Sequence, residues 1–296
     1  MSQFTEPTLG PVIQESRPTG IDDRTIGRIL VDMGRLRPTD APRVFKLARE
    51  KGLRFGEAAR KLRLVSEADV QYALSVQFNF PYLNGARSSL SPELGAAYDP
   101  FDAQAEALRS LRTQLVLHWL TPKRRTVAIV SPHARDGRSY LAANLAVMFA
   151  QLGEKTLLVD ADLRAPRQHR IFGLANRRGL AHVLNGGFGI ECAEPVQYFD
   201  NLSVLAAGTA PPNPLELLSR QELPALLAEA ARSYRVVILD TAAAERGADS
   251  MMVAARAGGA LLLARENHTR GPELQRLHAA VSSCSTRVVG TVLNRV

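Results

Sequence analysis

The stretch from Thr126 to Arg164 reads TVAIVSPHARDGRSYLAANLAVMFAQLGEKTLLVDADLR. TVAIV is a short apolar, β-branched run, the pattern of a strand buried on both faces. A loop containing Gly137, Arg138 and Ser139 follows. Leu141, Leu145, Met148, Phe149 and Leu152 then recur at helical spacing, and TLLVD is a second buried strand. Strand, loop, helix, strand is a βαβ unit, which implies a parallel sheet.

A loop between strand and helix is suited to phosphate. The helix start offers unpaired N–H groups and a partial positive charge. In a P-loop a glycine permits close backbone approach, a basic residue reaches the β/γ-phosphates, and a Ser or Thr hydroxyl ligates Mg²⁺. Gly137, Arg138 and Ser139 stand in those places, with Asp136 and Tyr140 completing the candidate nucleotide-contacting set. The usual pattern is altered twice: Arg138 replaces lysine, and Pro132 replaces the first glycine. Asp160 and Asp162 alternate at the end of TLLVD, so both point one way. The carboxyl end of a parallel strand is where open α/β sheets bind ligands. Two carboxylates there can hold Mg²⁺ or take a proton from an attacking hydroxyl. Asp240 closes a third apolar run, YRVVILD, in the manner of a Walker B aspartate.

Further strands at LSVLA, ALLLA and VVGTVLN alternate with the helical segments PLELLSRQELPALLAEAARSY and ADSMMVAARAGG. The expected fold is therefore α/β, a doubly wound, mostly parallel P-loop sheet behind a small, mainly helical N-terminal domain. The 296 residues suggest two domains. Residues 1–20 read as a disordered leader and 21–83 as the helical domain. Residues 84–102, rich in Ser, Pro, Gly and Ala, read as a linker, and 103–296 as the P-loop domain. There is no run of 18 apolar residues and no signal-peptide pattern. Cys192 and Cys284 give no disulfide framework, and the six histidines form no metal motif. These features fit a cytoplasmic location. The net charge of +8 comes from dispersed arginines without interleaved aromatics, so no nucleic-acid partner is expected.

The C-terminal two thirds resembles a bacterial tyrosine kinase (BY-kinase) of the capsule and exopolysaccharide type. The resemblance rests on VDADLRAPRQHRIFGL, GLAHVLNGG and VLAAGTAPPNPLELL. It implies a P-loop kinase that transfers phosphate from Mg·ATP to tyrosine and controls polysaccharide chain length or export. It assigns Asp160, Asp162 and Arg138 to catalysis, and Ser139, Asp160 and Asp240 to Mg²⁺. Glu106, Arg109 and Arg112 match the E-x-x-R-x-x-R helix through which these kinases form homo-oligomeric rings. The resemblance also implies a membrane partner of the chain-length-determinant (Wzz-like) type, holding the kinase peripherally at the inner membrane. The G-R-S-Y-L-A-A-N-L-A loop is similar to that of the EpsG-like branch. The family's C-terminal tyrosine cluster is missing: the last tyrosine is Tyr234, which directs attention to Tyr82 or Tyr98 as acceptors. Arg164 and Arg167 are candidate phosphate braces, and Asn294 a candidate contact to the base.

Two alternatives stay open: an ATP-binding, catalytically weak adaptor of the export complex, and a MinD/ParA-like ATPase. The latter carries a signature lysine where this chain has His133. In the N-terminal region IGRILVDMGRLRPTDA and FGEAARKLRLVSEADV align at an offset of 29 residues. This repeat is similar to the N-terminal domain of type II secretion ATPases (MshEN-like), some of which bind cyclic di-GMP. Only the second copy keeps Arg54, Gly56, Leu74 and Gln77 of that pattern, which leaves a protein-docking domain as the alternative.

Overall fold

The computed structural model describes residues 25–77, 89–99 and 102–295. The leader, Tyr82 and residues 84–88 of the expected linker lie outside these. The chain divides into two compact units, Met1–Asn79 and Phe80–Val296.

The first unit holds α1 (Ile26–Asp32), α2 (Ala41–Lys51), α3 (Phe55–Lys61) and α4 (Glu67–Gln77). The repeat is visible as two helix pairs that interlock, α1 against α4 and α2 against α3. Leu30, Leu36, Val44, Ala58, Ala59 and Val70 form the shared core. Ser66 and Asp69 make a reciprocal cap at the start of α4. The Asp69 N–H donates to Ser66 Oγ at 3.1 Å and the Ser66 N–H to Asp69 Oδ2 at 2.9 Å.

The second unit is built on β1 (Thr126–Val130), β2 (Thr156–Asp160), β3 (Glu194–Pro195), β4 (Leu202–Leu205), β5 (Val236–Asp240), β6 (Gly259–Arg265) and β7 (Arg287–Asn294). The strand order is β3-β4-β2-β5-β1-β6-β7, and only the β3–β4 pairing is antiparallel among the described residues. Alternate residues go to opposite layers, as a pleat requires. Val127, Ile129 and Ile238 join the core beneath α5 (Gly95–Tyr98), α6 (Ala103–His118) and α7 (Arg138–Gln151). Ala128, Val130, Val237 and Leu239 join the opposite core. That second layer includes α9 (Leu180–Leu184), α10 (Pro214–Ser219), α11 (Glu222–Ser233), α12 (Asp249–Ala257) and α13 (Gly271–Ser283), while α8 (Gln168–Ile171) belongs with the first. The sheet is thus doubly wound.

Two expectations are corrected. PLELLSRQELPALLAEAARSY is two helices, broken at Arg220, whose ψ of 160° is extended. The cause is Pro224: its ring would collide with the Arg220 carbonyl in a continuous helix, but it is tolerated in the first turn of a new one. Residues 89–99, expected as linker, are packed structure. Leu94, Ala96 and Ala97 are fully buried. Asn144 Oδ1 accepts the Ala96 N–H at 2.9 Å, and Gln151 Nε2 donates to the Ala96 carbonyl at 3.0 Å. A composition rich in small residues here reflects close approach to α7.

Candidate functional site

The carboxyl ends of β1, β2 and β5 converge where α7 begins. Ile129 and Asp160 are each in register with Asp240. Strand pairing therefore sets the two carboxylates side by side below the loop 131–137. Gly137 has φ +105°, and a Cβ there would collide with the Asn294 amide, so this loop end requires glycine. Asn294 Nδ2 donates to the Asp136 carbonyl at 2.8 Å, which places Asn294 over the loop. Asp136 is fully buried. Its Oδ2 accepts the His133 N–H at 2.9 Å, and its Oδ1 lies 3.0 Å from His268 Nδ1 and accepts the Thr269 hydroxyl at 3.2 Å. Its carboxylate thus pins the loop to the segment after β6.

Arg138 is buried, with 7% of its surface exposed. Nε donates to the Thr241 carbonyl at 2.8 Å, and Nη1 donates to the His133 carbonyl at 2.6 Å and to the Ser131 hydroxyl. A guanidinium presents several donors in one plane, so it can bridge three acceptors that an ammonium could not. Arg138 clamps the loop to the segment after β5. Ser139 lies beside Asp240, whose carboxylate its hydroxyl favours.

Asp160 and Asp240 are both fully buried. Asp160 Oδ2 accepts the backbone N–H groups of Arg167 and Gln168 at 3.0 and 2.9 Å. Asp240 Oδ2 accepts Gln168 Nε2 at 2.8 Å, and the same amide donates to the Ser139 carbonyl at 3.1 Å. Asp160 Oδ1 and Asp240 Oδ1 are buried without a partner. Burial lifts Asp160 well above the usual carboxylate range, and the Asp240 charge adds to this. Burial also lifts Asp240 to about 6, against the pull of Gln168, Ser139 and Arg138. Two buried carboxylates with orphaned oxygens and a nearby hydroxyl form a hard-oxygen donor set that fits Mg²⁺, whose charge would reverse those upward shifts. Asp162 Oδ1 accepts the N–H groups of Arg164 and Ala165 at 3.2 and 2.9 Å, and the residue is 5% exposed.

The other candidates each meet a partner within the chain. Tyr140 turns toward residues of the 89–102 segment: a Cβ on Gly95 would lie 3.5 Å from its hydroxyl. Burial, with Asp102 and Glu93 nearby, raises its pKa. Arg164 makes a bidentate pair with Asp249 at the start of α12, and Arg167 binds both oxygens of Glu93 at 2.8 and 2.9 Å. The Tyr98 hydroxyl donates to the Leu90 carbonyl at 2.8 Å. On α6, Arg109 pairs with Glu106 at 2.6 Å, whereas Arg112 is turned inward and donates to the Met148 carbonyl at 2.9 Å.

The sequence reading missed Gln168, Thr241, Glu245 and Glu273. Gln168 opens α8 between Arg167 and His169; the family resemblance spans it but assigns it no role. Glu245 and Glu273 meet at His133: Nδ1 is 2.7 Å from Glu245 Oε2 and Nε2 is 2.9 Å from Glu273 Oε2. Only the protonated ring can donate to both carboxylates. The pKa of His133 is raised by Glu273 and Glu245, and theirs are lowered, with His133 and backbone N–H donors as the main causes. A raised folded-state value means that the His133 contribution is complete below about 6.5 and is lost as pH climbs through the raised value. Melting curves for wild type and His133→Gln should therefore converge as pH is raised above about 6.5. A constant gap between the two curves as pH rises would remove the titration from the account.

A phosphate-type loop between β1 and α7, with carboxylates at the ends of β2 and β5, defines the P-loop α/β class. Over 199 residues the chain is 35% identical to the tyrosine-protein kinase YwqD of Bacillus subtilis, covering 67% of this chain and 84% of that one. It is 30% identical over 214 residues to a putative tyrosine-protein kinase in the cps region of Klebsiella pneumoniae, of which it spans 30%. The kinase domain of Escherichia coli tyrosine kinase ETK superposes with a TM-score of 0.67 at 28% identity, covering 74% of this chain and 86% of that one. No family model matches the chain. The chain belongs to the bacterial tyrosine kinases. The similarity to secretion-ATPase N-terminal domains is not among these matches. No helix among the described residues is long and apolar enough to cross a membrane.

Proposed function

We propose that the chain is an ATP-dependent protein tyrosine kinase acting in exopolysaccharide or capsule assembly. The observation that carries the reading is the buried Asp160–Asp240 pair, in register at the sheet's carboxyl end, each with an orphaned oxygen beside the phosphate loop. Ser139, Asp160 and Asp240 would hold Mg²⁺, which supplies neutralisation of the phosphate charge. Backbone N–H groups from Gly137 to Ser139 cradle the phosphates, and Arg138 keeps the loop shaped and positively charged around them. Asp162, less enclosed than Asp160 and fixed through Oδ1, receives the proton of the acceptor tyrosine. The test is phosphotyrosine formation by the full chain with Mg·ATP, alone and with the cytoplasmic tail of its membrane partner. No phosphotyrosine under either condition, with ATP bound, would favour the adaptor reading. One observation supports that second reading: Nε and Nη1 of Arg138 are occupied by the protein itself.

We read Glu106 and Arg109 as the outward part of a ring contact, with Arg112 bracing α6 on α7. The membrane partner would be of the chain-length-determinant type, holding the chain at the inner membrane. The helical first unit is read as a docking module. Cyclic di-GMP is the less favoured ligand there, because only one copy carries Arg54, Gly56, Leu74 and Gln77, and Gly56 is packed against Val70.

A further inference from the structure

The mouth of the phosphate loop is filled by a carboxylate from the chain itself. Glu245 Oε1 accepts the Ala134 N–H at 2.7 Å, while its Oε2 lies 2.7 Å from His133 Nδ1. A backbone N–H and an imidazolium turned to one carboxylate make a donor set that also suits a phosphoryl oxygen. The two carboxylates around His133 differ in how they are held. Glu273 stands in the first turn of α13 and also accepts the Arg270 N–H at 2.9 Å, which fixes it. Glu245 is 43% exposed on a single 3-10 turn, Ala244–Arg246, followed by Gly247 at φ +138°. It is the arm able to swing away. His268 meets His133 edge-on at 5.5 Å and is itself turned to Asp136, so the far wall of the ring stays in place.

We infer that the Ala134 N–H and the His133 imidazolium form an anion subsite that Glu245 occupies at rest and that the terminal phosphate of a nucleoside triphosphate takes by displacing it. The inference rests on the nucleotide-binding half of the function proposed above and adds a selectivity to it. A diphosphate, lacking the terminal group, leaves Glu245 in place. Glu245 is therefore an internal competitor that sets the preference for triphosphate over diphosphate.

The experiment is calorimetric binding of Mg·AMP-PNP and Mg·ADP to the full chain. In Glu245→Gln the amide oxygen can still accept the Ala134 N–H, but the competing charge is gone. Triphosphate should bind about tenfold tighter, the scale of one charge-assisted hydrogen bond, and diphosphate should change less than about twofold. His133→Gln should weaken triphosphate by about the same factor and spare diphosphate. A triphosphate-to-diphosphate ratio in Glu245→Gln within about twofold of wild type overturns the inference. Failure of wild type to bind either nucleotide overturns both this subsite and the kinase reading. A shifted ratio without phosphotyrosine sinks the kinase reading alone, and kinase activity with an unshifted ratio sinks the subsite alone.

Discussion

Asp162→Asn should lower phosphotransfer to tyrosine by about a thousandfold while leaving Mg·ATP affinity within about threefold, because a positioned general base contributes on that scale. The substitution is close to isosteric. An asparagine oxygen can keep the two N–H donors of Arg164 and Ala165 that fix the turn after β2. The ability to take up a proton is what disappears. Asp160→Asn is the informative comparison. Asp160 is fully enclosed and its carboxyl is pushed well above the ordinary range, so its loss should strike Mg²⁺-dependent nucleotide binding first. The measurement is initial-rate phosphotyrosine formation alongside nucleotide titration for both variants. Asp162→Asn retaining activity within tenfold of wild type would remove Asp162 from the chemistry.

The second large effect is on stability. Arg138→Met keeps an unbranched apolar stem but removes every donor. It strips the arginine from the Thr241 and His133 carbonyls and from the Ser131 hydroxyl, in a place where water is largely excluded. Leaving such acceptors unpaired costs about 3 kcal/mol, and for a domain of this size that lowers the melting temperature by roughly 6–12 °C. Nucleotide binding should be lost with it, since the loop that presents the N–H groups is no longer tied down. Calorimetric melting decides the matter: a variant melting within two degrees of wild type would show that the loop holds its shape without the clamp.

The sheet was legible in the sequence because its strands are apolar runs without competing readings. TVAIV, TLLVD and YRVVILD could only be buried strands, and the aspartates at their ends follow from that placement. The repeat in the first unit was legible for a similar reason, since the helical periodicity recurs at one offset. The partners of the site were not legible. Gln168 reaches Asp240 across 72 positions, and Glu245 reaches Ala134 across 111. Nothing local marks either residue, because their roles are created when β5 is laid between β1 and β2. Arg164, Arg167 and Arg112 look alike in sequence, and only the fold shows that each is spent on an acceptor or carboxylate of the chain itself. The segment 89–99 was misjudged because small residues mark flexible chain and tight packing alike.

That segment also decides where the polypeptide can be divided. A boundary drawn at Ala103, ahead of the long helix, would cut away the backbone that the Asn144 and Gln151 amides depend on and would open the flank of α7 to water. Insertions and truncations that remove or displace residues 89–99 are therefore expected to meet resistance, because α7 loses the backbone it packs and bonds against.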